Sequence, residues 1–413
     1  MMNGDVLKDG WRSEAVKDAL DLCLSCKGCK HDCPVNVDMA TYKAEFLSHY
    51  YEGRVRPRYA YAFGFVHFWV RLVHAVPFLP SVVNLVARSP LAPVAKFAAG
   101  MTQERKIPEL APVSFKKSFA RRKKKHADKR VVLFADTFND YFHPEISHAA
   151  VDVLERAGFE VVVPEQDLCC GRPFYDYGFL DAARRYLRHV IQALRPALED
   201  GTPIVVLEPS CAAVFRDELV NMLPNDWGAK RLHDQVVSIS EFLEKHAKDF
   251  ELPAIGKKAL VHGHCHQKAL VGMTADESVL ERMKIEASQP ADGCCGMAGS
   301  FGFEPGEHYD VSIKCGERVL LPDVRKADEE TIILADGFSC QTQIEQGTDR
   351  RALHIAEIVK LGLDGMLHQG GRPEQRAVMV RRNARRAAEK RALVALGAAC
   401  AATLVASVAI ARR

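Results

Sequence analysis

Residues 23–34 read Cys-Leu-Ser-Cys-Lys-Gly-Cys-Lys-His-Asp-Cys-Pro, and no other stretch restricts the fold so sharply. Cys23, Cys26, Cys29 and Cys33 are spaced C-x2-C-x2-C-x3-C, with a proline directly behind the fourth. Iron prefers soft anionic sulfur, and two-residue gaps let consecutive thiolates wrap three corners of a [4Fe–4S] cube. Gly28 allows the backbone to approach the sulfides, and Lys27 and Lys30 stand where they would offset cluster charge. A zinc site or a disulfide knot is the competing reading, but zinc ribbons pair C-x2-C units across longer gaps. The ligand count does not close. In two-cluster proteins the fourth cysteine of such a run serves the other cube, and this sequence has no second run. Either Cys33 closes its own cube, or the missing ligand lies on another polypeptide or in a sequence absent from this one.

A chain of 413 residues with 48% hydrophobic content holds two or three modest domains with packed cores. A net charge of +3 argues against a nucleic-acid partner, although the basic residues are clustered. Thirteen cysteines arranged as ligand motifs indicate a reducing compartment, not a secreted disulfide scaffold. Residues 1–18 contain no apolar run of the kind a signal peptide needs.

Residues 11–22 and 38–51 read as amphipathic helices on either side of the cysteine loop, with Asp38 able to cap the second. Residues 1–58 are therefore expected to form an α-helical ferredoxin-like [4Fe–4S] module. Residues 59–130 form an aromatic-rich helical connector ending in the basic run 116–130. The connector is expected to pack on the cluster module, with an interfacial membrane helix as the sharper alternative, because Arg71 and His74 interrupt a run too short to span a bilayer. The basic run reads as a solvated linker, and a contact with anionic lipid is the other reading. From residue 131 strands and helices alternate: strands at 131–134, 160–163 and 203–207, then 258–262 and 331–334, with helices at 143–157, 179–198 and 308–321. This predicts an α/β domain over 131–365 made of two copies of one unit, with ligands at the strand ends.

Each copy carries the same tripeptide, Cys169-Cys170-Gly171 and Cys294-Cys295-Gly296, and a later cysteine, Cys211 or Cys340. The second copy adds Cys265 within His262-Gly-His-Cys-His266. Cys265, Cys294, Cys295 and Cys340 thus make a four-thiolate site for iron or zinc, with His262, His264 and His266 as ligands or as partners of the ligands. Cys169, Cys170 and Cys211 make an incomplete one, since residues 136–139 hold no cysteine where one would be expected. Buried inert thiols are the bland reading of the pairs. Cys315 and Cys400 match no ligand pattern and read as packing residues.

With these motifs, residues 5–365 resemble the iron–sulfur portion of FAD-linked D-2-hydroxyacid dehydrogenases of the D-lactate and D-2-hydroxyglutarate type. They are also similar to the glycolate oxidase iron–sulfur subunit. The resemblance rests on residues 22–30, on Cys33-Pro-Val-Asn-Val-Asp-Met-Ala-Thr-Tyr-Lys, on residues 136–145 and on both Cys-Cys-Gly units, which resemble the cysteine-rich repeats of heterodisulfide reductase. It implies a helical ferredoxin-like module, a tandem cysteine-rich α/β domain, and FAD only on a partner or missing upstream domain. That upstream portion also carries a cysteine run in such families, which would supply the missing ligand. Neither Cys211 nor Cys340 is followed three residues on by another cysteine, so the type of second cluster, or zinc in its place, stays open.

Residues 366–391 form a basic linker, and residues 392–411 carry no charge over a length about sufficient to cross a bilayer. The positive-inside tendency then gives a single-pass anchor on the cytoplasmic face of the cell membrane; a surface or oligomer-forming helix is the alternative. The expected function is electron transfer from a flavin dehydrogenase partner to a membrane acceptor such as a quinone. A disulfide-reducing site in the repeats and a non-catalytic metal scaffold are the competing expectations.

Overall fold

The computed structural model of this chain describes residues 8–289, 293–368 and 370–411, with the backbone alone beyond residue 394. Two parallel sheets lie at its centre. The first holds β1 (Lys129–Phe134), β2 (Phe159–Val162), β3 (Ile204–Val206) and β4 (Val236–Val237) in the order β2-β1-β3-β4; the second holds β5 (Lys258–Val261), β6 (Glu286–Ser288) and β7 (Ile332–Leu334) in the order β6-β5-β7. The first three strands of one sheet thus match the three of the other. Where the first sheet adds β4, the second shows a single parallel bridge from Leu334 to Leu353. Behind each of these positions a helix starts in a reciprocal cap, Ser238 with Glu241 and His354 with Glu357.

The central strands are apolar on both faces, as buried parallel strands are. Val131, Val132, Leu133 and Phe134 of β1 are all buried. One hydrophobic cluster joins Leu133 and Val205 of the first copy to Val261, Leu334 and Ile358 of the second. At about 1.5–3 kcal/mol for each large aliphatic side chain removed from water, this shared core makes the copies one cooperative body. The α/β class is as the sequence implied.

Three local features differ from the sequence reading. Strands β4 and β6 were not anticipated; the first is two residues long, and the second is a Glu-Ala-Ser stretch with exposed side chains and little strand preference. The helix expected over 308–321 is two helices, Glu307–Arg318 and Leu320–Lys326, with Val319 between them at φ −143°. Pro322 explains the break, because its ring would collide with the carbonyl of Arg318 in a continuous helix.

At the amino end, Ser13 caps the helix Glu14–Asp21 and Asp38 caps Met39–Tyr50, each side chain accepting from a backbone N–H three residues on. These helices bury Leu20, Phe46 and Tyr50 against each other and hold the cysteine loop between them.

The aromatic connector forms four helices, Arg58–Gly64, Val66–Ala75, Leu79–Arg88 and Ala92–Ala99. They lie over the two copies rather than on the cluster module alone. Phe65 packs edge-on against Phe174 and Phe179, Phe63 against Phe303, and His67 Nδ1 meets Thr137 Oγ1 at 3.0 Å. The basic run is not a free linker at its start: Phe115 is fully buried, and Arg122 Nη2 lies 2.7 Å from both Asp152 and Glu155.

Among the described residues no single helix is long and apolar enough to cross a membrane; Val66–Ala75 and Leu79–Arg88, bent by 118°, reach that apolar length only jointly. The backbone of Gln375–Ala411 is one helix. Its first half lies along Leu79–Arg88, where Arg385 Nη1 reaches Glu109 at 2.8 Å and Glu389 pairs with Arg88. Most of the expected anchor at 392–411, and Cys400 within it, lies outside the residues whose side chains are described.

Candidate metal centre

The strand ends of the second copy bring four thiols together. Cys265 opens the helix Cys265–Leu270 behind β5, Cys294 and Cys295 follow β6, and Cys340 lies in the first turn of Phe338–Gly347 behind β7. Sγ of Cys265 is 3.7 Å from Sγ of Cys294, and Sγ of Cys340 is 3.4 Å from Sγ of Cys295. Two thiolates on one tetrahedral ion with bonds of about 2.3 Å would lie about 3.8 Å apart, so these separations suit sulfurs that share a metal. A ring nitrogen of His262 joins the sulfurs of Cys295 and Cys340 within 4.8 Å.

The thiols cannot all ionise in the absence of a cation. Hydrogen bonds from Cys265 and Cys295 push the Cys294 thiol down, and contact with the Cys295 sulfur, with His262 and His264 nearby, pushes Cys340 well down. Their donors move the opposite way: Cys265 and Cys295 are held well above the ordinary thiol range by donating to Cys294, and burial adds to the effect. Such crowding is relieved by a bound positive charge.

Two buried histidine nitrogens strengthen the fit. His266 Nε2 donates to the Ser25 carbonyl at 2.9 Å, which leaves Nδ1 as a lone pair without a hydrogen-bond partner. His262 Nε2 is likewise buried without one. The residues therefore suit an iron–sulfur cluster or a closely related metal group. His264 instead caps its own helix, with Nδ1 accepting from His266 N–H.

Glycine in the tripeptide has a backbone cause. Gly171 and Gly296 both adopt left-handed conformations, at φ 83° and 77°. A side chain on Gly296 would also overlap the Ser312 carbonyl, whereas around Gly171 nothing lies closer than 3.7 Å.

The first copy uses the same strand ends differently. Cys169, Cys170 and Cys211 are all buried, with the sulfurs of Cys170 and Cys211 2.8 Å apart. Burial pushes the Cys211 thiol up to about 12 and Cys170 well above the usual range; donation to Cys170, then burial, does the same for Cys169. Asp136 caps the helix behind β1 by accepting from Phe138 and Asn139 N–H, as His264 caps the one behind β5, so Thr137 opens the first-copy helix where Cys265 opens the second. These three thiols are brought together, but as a neutral, enclosed group.

Cys23, Cys26, Cys29 and Cys33 all stay half-buried in their loop. Cys29 Sγ accepts from Met39 N–H at 3.4 Å. Cys26 faces the repeats: burial raises its thiol, and the sulfurs of Cys294 and Cys23 raise it further. Cys33 points elsewhere, its thiol lowered by the backbone N–H groups of Val37, Val35 and Asn36. The Ser25–His266 contact therefore joins one cysteine site directly to the other.

An ion network that the sequence reading missed sets this approach. Lys27 is 1% exposed, and its Nζ lies 2.9 Å from Asp38, 2.5 Å from Asp217 and 3.0 Å from Glu218. Lys30 pairs with Asp217 at 2.6 Å, and buried Arg172, directly behind the first tripeptide, pairs with Glu218 at 2.6 Å. A π-helical turn, Val214–Glu218, delivers both acids. Lys27 and Lys30 are thus matched by carboxylates and are not free to offset cluster charge. Their presence inside the cysteine run was the available signal; the partners, about 190 residues away, left none. Cys315, read as a packing residue, lies within electrostatic reach of Cys294.

Between the second-copy cysteines and the aromatic helices lies a cavity of about 350 Å³. Cys26, Cys265 and Cys294 line one end, and Val66, Val70 and Phe142 line the rest.

The CCG cysteine-rich domain family matches residues 134–216, the first copy. A D-2-hydroxyglutarate dehydrogenase of Pseudomonas putida is 27% identical over 373 residues, which cover 84% of this chain and 34% of that protein. Lactate utilization protein A of Bacillus velezensis is 30% identical over 244 residues, covering 56% of this chain and 98% of that protein. One subunit of the anaerobic glycerol-3-phosphate dehydrogenase of Escherichia coli K12 is 26% identical over 290 residues, 68% of this chain and 71% of the matched protein. The chain thus spans about a third of the D-2-hydroxyglutarate dehydrogenases it matches and nearly all of lactate utilization protein A.

Proposed function

Because this chain belongs to the cysteine-rich, iron–sulfur-type family of lactate utilization protein A, we propose that it relays electrons within a dehydrogenase whose flavin sits on a partner subunit or an upstream domain. The observation that carries this reading is the direct junction of the two cysteine sites, with the Ser25 carbonyl on His266 and Cys26 facing Cys294. Iron–sulfur groups at the two sites would supply one-electron transfer, which a two-electron flavin donor needs on its acceptor side.

The protein's own part is positional. The Lys27 network fixes the cysteine loop on the first copy, His266 fixes it on the second, and burial keeps water from Cys295 and Cys340. Cys23, Cys26 and Cys29 are assigned to one [4Fe–4S] cube, with its fourth ligand supplied by the partner; Cys33, turned away from them into its own backbone hydrogen bonds, serves a cube completed by that partner. Cys265, Cys294, Cys295 and Cys340 hold the second group, and Cys169, Cys170 and Cys211 remain structural.

The names of the D-2-hydroxyglutarate and lactate relatives support a small 2-hydroxy acid as the electron source. The arginine-rich first half of the Gln375–Ala411 helix and the uncharged sequence beyond it support a membrane acceptor on the cytoplasmic face. The test is to mix the cluster-loaded chain anaerobically with its flavoprotein and a 2-hydroxy acid. Bleaching of the clusters only when both are present supports the relay; bleaching without the flavoprotein, or none with it, contradicts it.

A further inference from the structure

One end of the 350 Å³ cavity is formed by Cys26 and the second-site cysteines that the relay uses, and the rest extends beyond them between the aromatic helices. Its long walls are apolar: Val66, Val70 and Val73 face it from one helix, and Leu110, Phe138 and Phe338 close it from the other elements. Along these walls, away from Arg172, Glu208 and the histidines at the cysteine end, a polar substrate would lose hydration with few replacement hydrogen bonds. A flat apolar molecule would not.

The helix that lines the cavity also carries an apolar stripe on its outer side, beside Arg71, which pairs with Asp167. Phe68 and Leu72 follow one another at a helical step on the outer face of Val66–Ala75, Val76 continues the stripe, and Phe78 begins the next bend; all four are exposed. An exposed contiguous apolar stripe of this kind marks a contact with a partner or a membrane. Trp69 is at once exposed and part of the cavity lining, so the outer stripe and the cavity meet at its indole.

Positive charge borders the stripe. Lys117 Nζ donates to the carbonyl of His74 at the end of this helix, and Arg71 stands on it, paired with Asp167. An apolar stripe bordered by basic side chains is the pattern of a surface resting on anionic lipid. The Gln375–Ala411 helix packs against the adjoining Leu79–Arg88 helix, so the uncharged tail leaves from the same quarter of the molecule.

We propose that this cavity is the binding site of a lipid-soluble quinone, which enters from the bilayer past Trp69 and lodges with its ring near Cys265 and Cys294. The assignment rests on the relay reading and adds to it the class of the acceptor and the residues that hold it. Reduction of one quinone to a quinol consumes two electrons and two protons; the electrons come singly through the cysteine sites from the oxidised hydroxy acid, and the protons come from water.

The test uses the oxidised, cluster-loaded full chain and a decyl-tailed benzoquinone as probe. Binding is followed by equilibrium dialysis and by quenching of Trp69 emission, with Trp69→Phe as the control for the optical signal. Saturable binding is expected, weakened at least tenfold by Val66→Trp and by Ala62→Phe, which fill the cavity from separate helices. Phe68→Ser combined with Leu72→Ser is expected to slow uptake from quinone-loaded anionic vesicles at least threefold. Non-saturable binding, or unweakened affinity in both filled variants, overturns the site; unchanged uptake overturns the entry route. Cluster bleaching through the flavoprotein is read on the same samples. Its absence refutes the relay, whereas its presence without saturable quinone binding refutes only the cavity assignment.

Discussion

The two copies share strand order, tripeptide and capping pattern, but they put their cysteines to opposite uses. In the first, Cys169, Cys170 and Cys211 are enclosed and every thiol is raised; in the second, Cys294 and Cys340 are lowered while Cys265 and Cys295 are raised, and Cys265 and Cys294 reach a cavity. One difference of residue type goes with the change: Thr137 opens the helix behind β1 where Cys265, at the start of the helix behind β5, offers a sulfur. The first copy instead supplies the acids that receive Lys27 and Lys30. The first copy thus docks the cysteine loop, and the second faces it with four converging thiols; on the relay reading the duplicated unit has divided its labour.

Loss of a ligand should separate the halves most clearly. Cys340→Ser or Cys295→Ser is expected to remove the metal of the repeat domain entirely, read as iron and acid-labile sulfide per chain. Cys211→Ser should leave those contents unchanged. Equal iron loss in all three variants would mean that the copies do not divide their labour in this way.

The next effect belongs to the dock. Lys27→Met leaves Asp38, Asp217 and Glu218 without their shared cation, and breaking such a buried pair costs about 3–5 kcal/mol. A urea midpoint that falls accordingly is expected; a change below about 1 kcal/mol would place the dock elsewhere.

Glycine substitutions give a smaller contrast. Gly171→Ala should cost about 1–2 kcal/mol for its left-handed backbone alone. Gly296→Ala meets the Ser312 carbonyl as well and should cost more, with disturbed cluster absorbance. Equal costs would remove the steric distinction between the two tripeptides.

The smallest effect is a pH dependence at the junction of the amino-terminal helices with the second copy. Burial alone would lower His308, but Asp21 at 3.3 Å and the charge of Glu304 outweigh it and raise its pKa. A raised histidine stabilises fully below about pH 6.5, its unfolded value, and that contribution fades as pH rises through the folded value. Asp21 is lowered chiefly by the same hydrogen bond, so its share is lost only toward acid. His308→Gln is expected to flatten stability above pH 6.5 by less than about 1 kcal/mol, because Asp21 is partly exposed. An unchanged thermal-melting profile against pH would discount the pair.

Much of this arrangement is legible in the sequence because it is local. Strand–helix alternation marks the copies, and cysteine spacing marks the ligands, since both depend on neighbours within a few residues. The Pro322 break was also readable from the same rules. The pairing of Lys27 with Asp217 and Glu218, the cavity and the placement of the aromatic helices over both copies were not, because each joins residues 70 or more positions apart. Nor does the basic run advertise that Phe115, just before its lysines, would anchor it in the first copy.

The most direct test is electron paramagnetic resonance during an anaerobic reductive titration of the loaded chain, with iron and sulfide measured on the same sample. Two iron–sulfur signals are predicted, broadened by mutual spin coupling because the Ser25–His266 contact holds their sites together, and simplified to one by Cys340→Ser. A single uncoupled signal with zinc, or no metal, at the second-copy cysteines would contradict the relay.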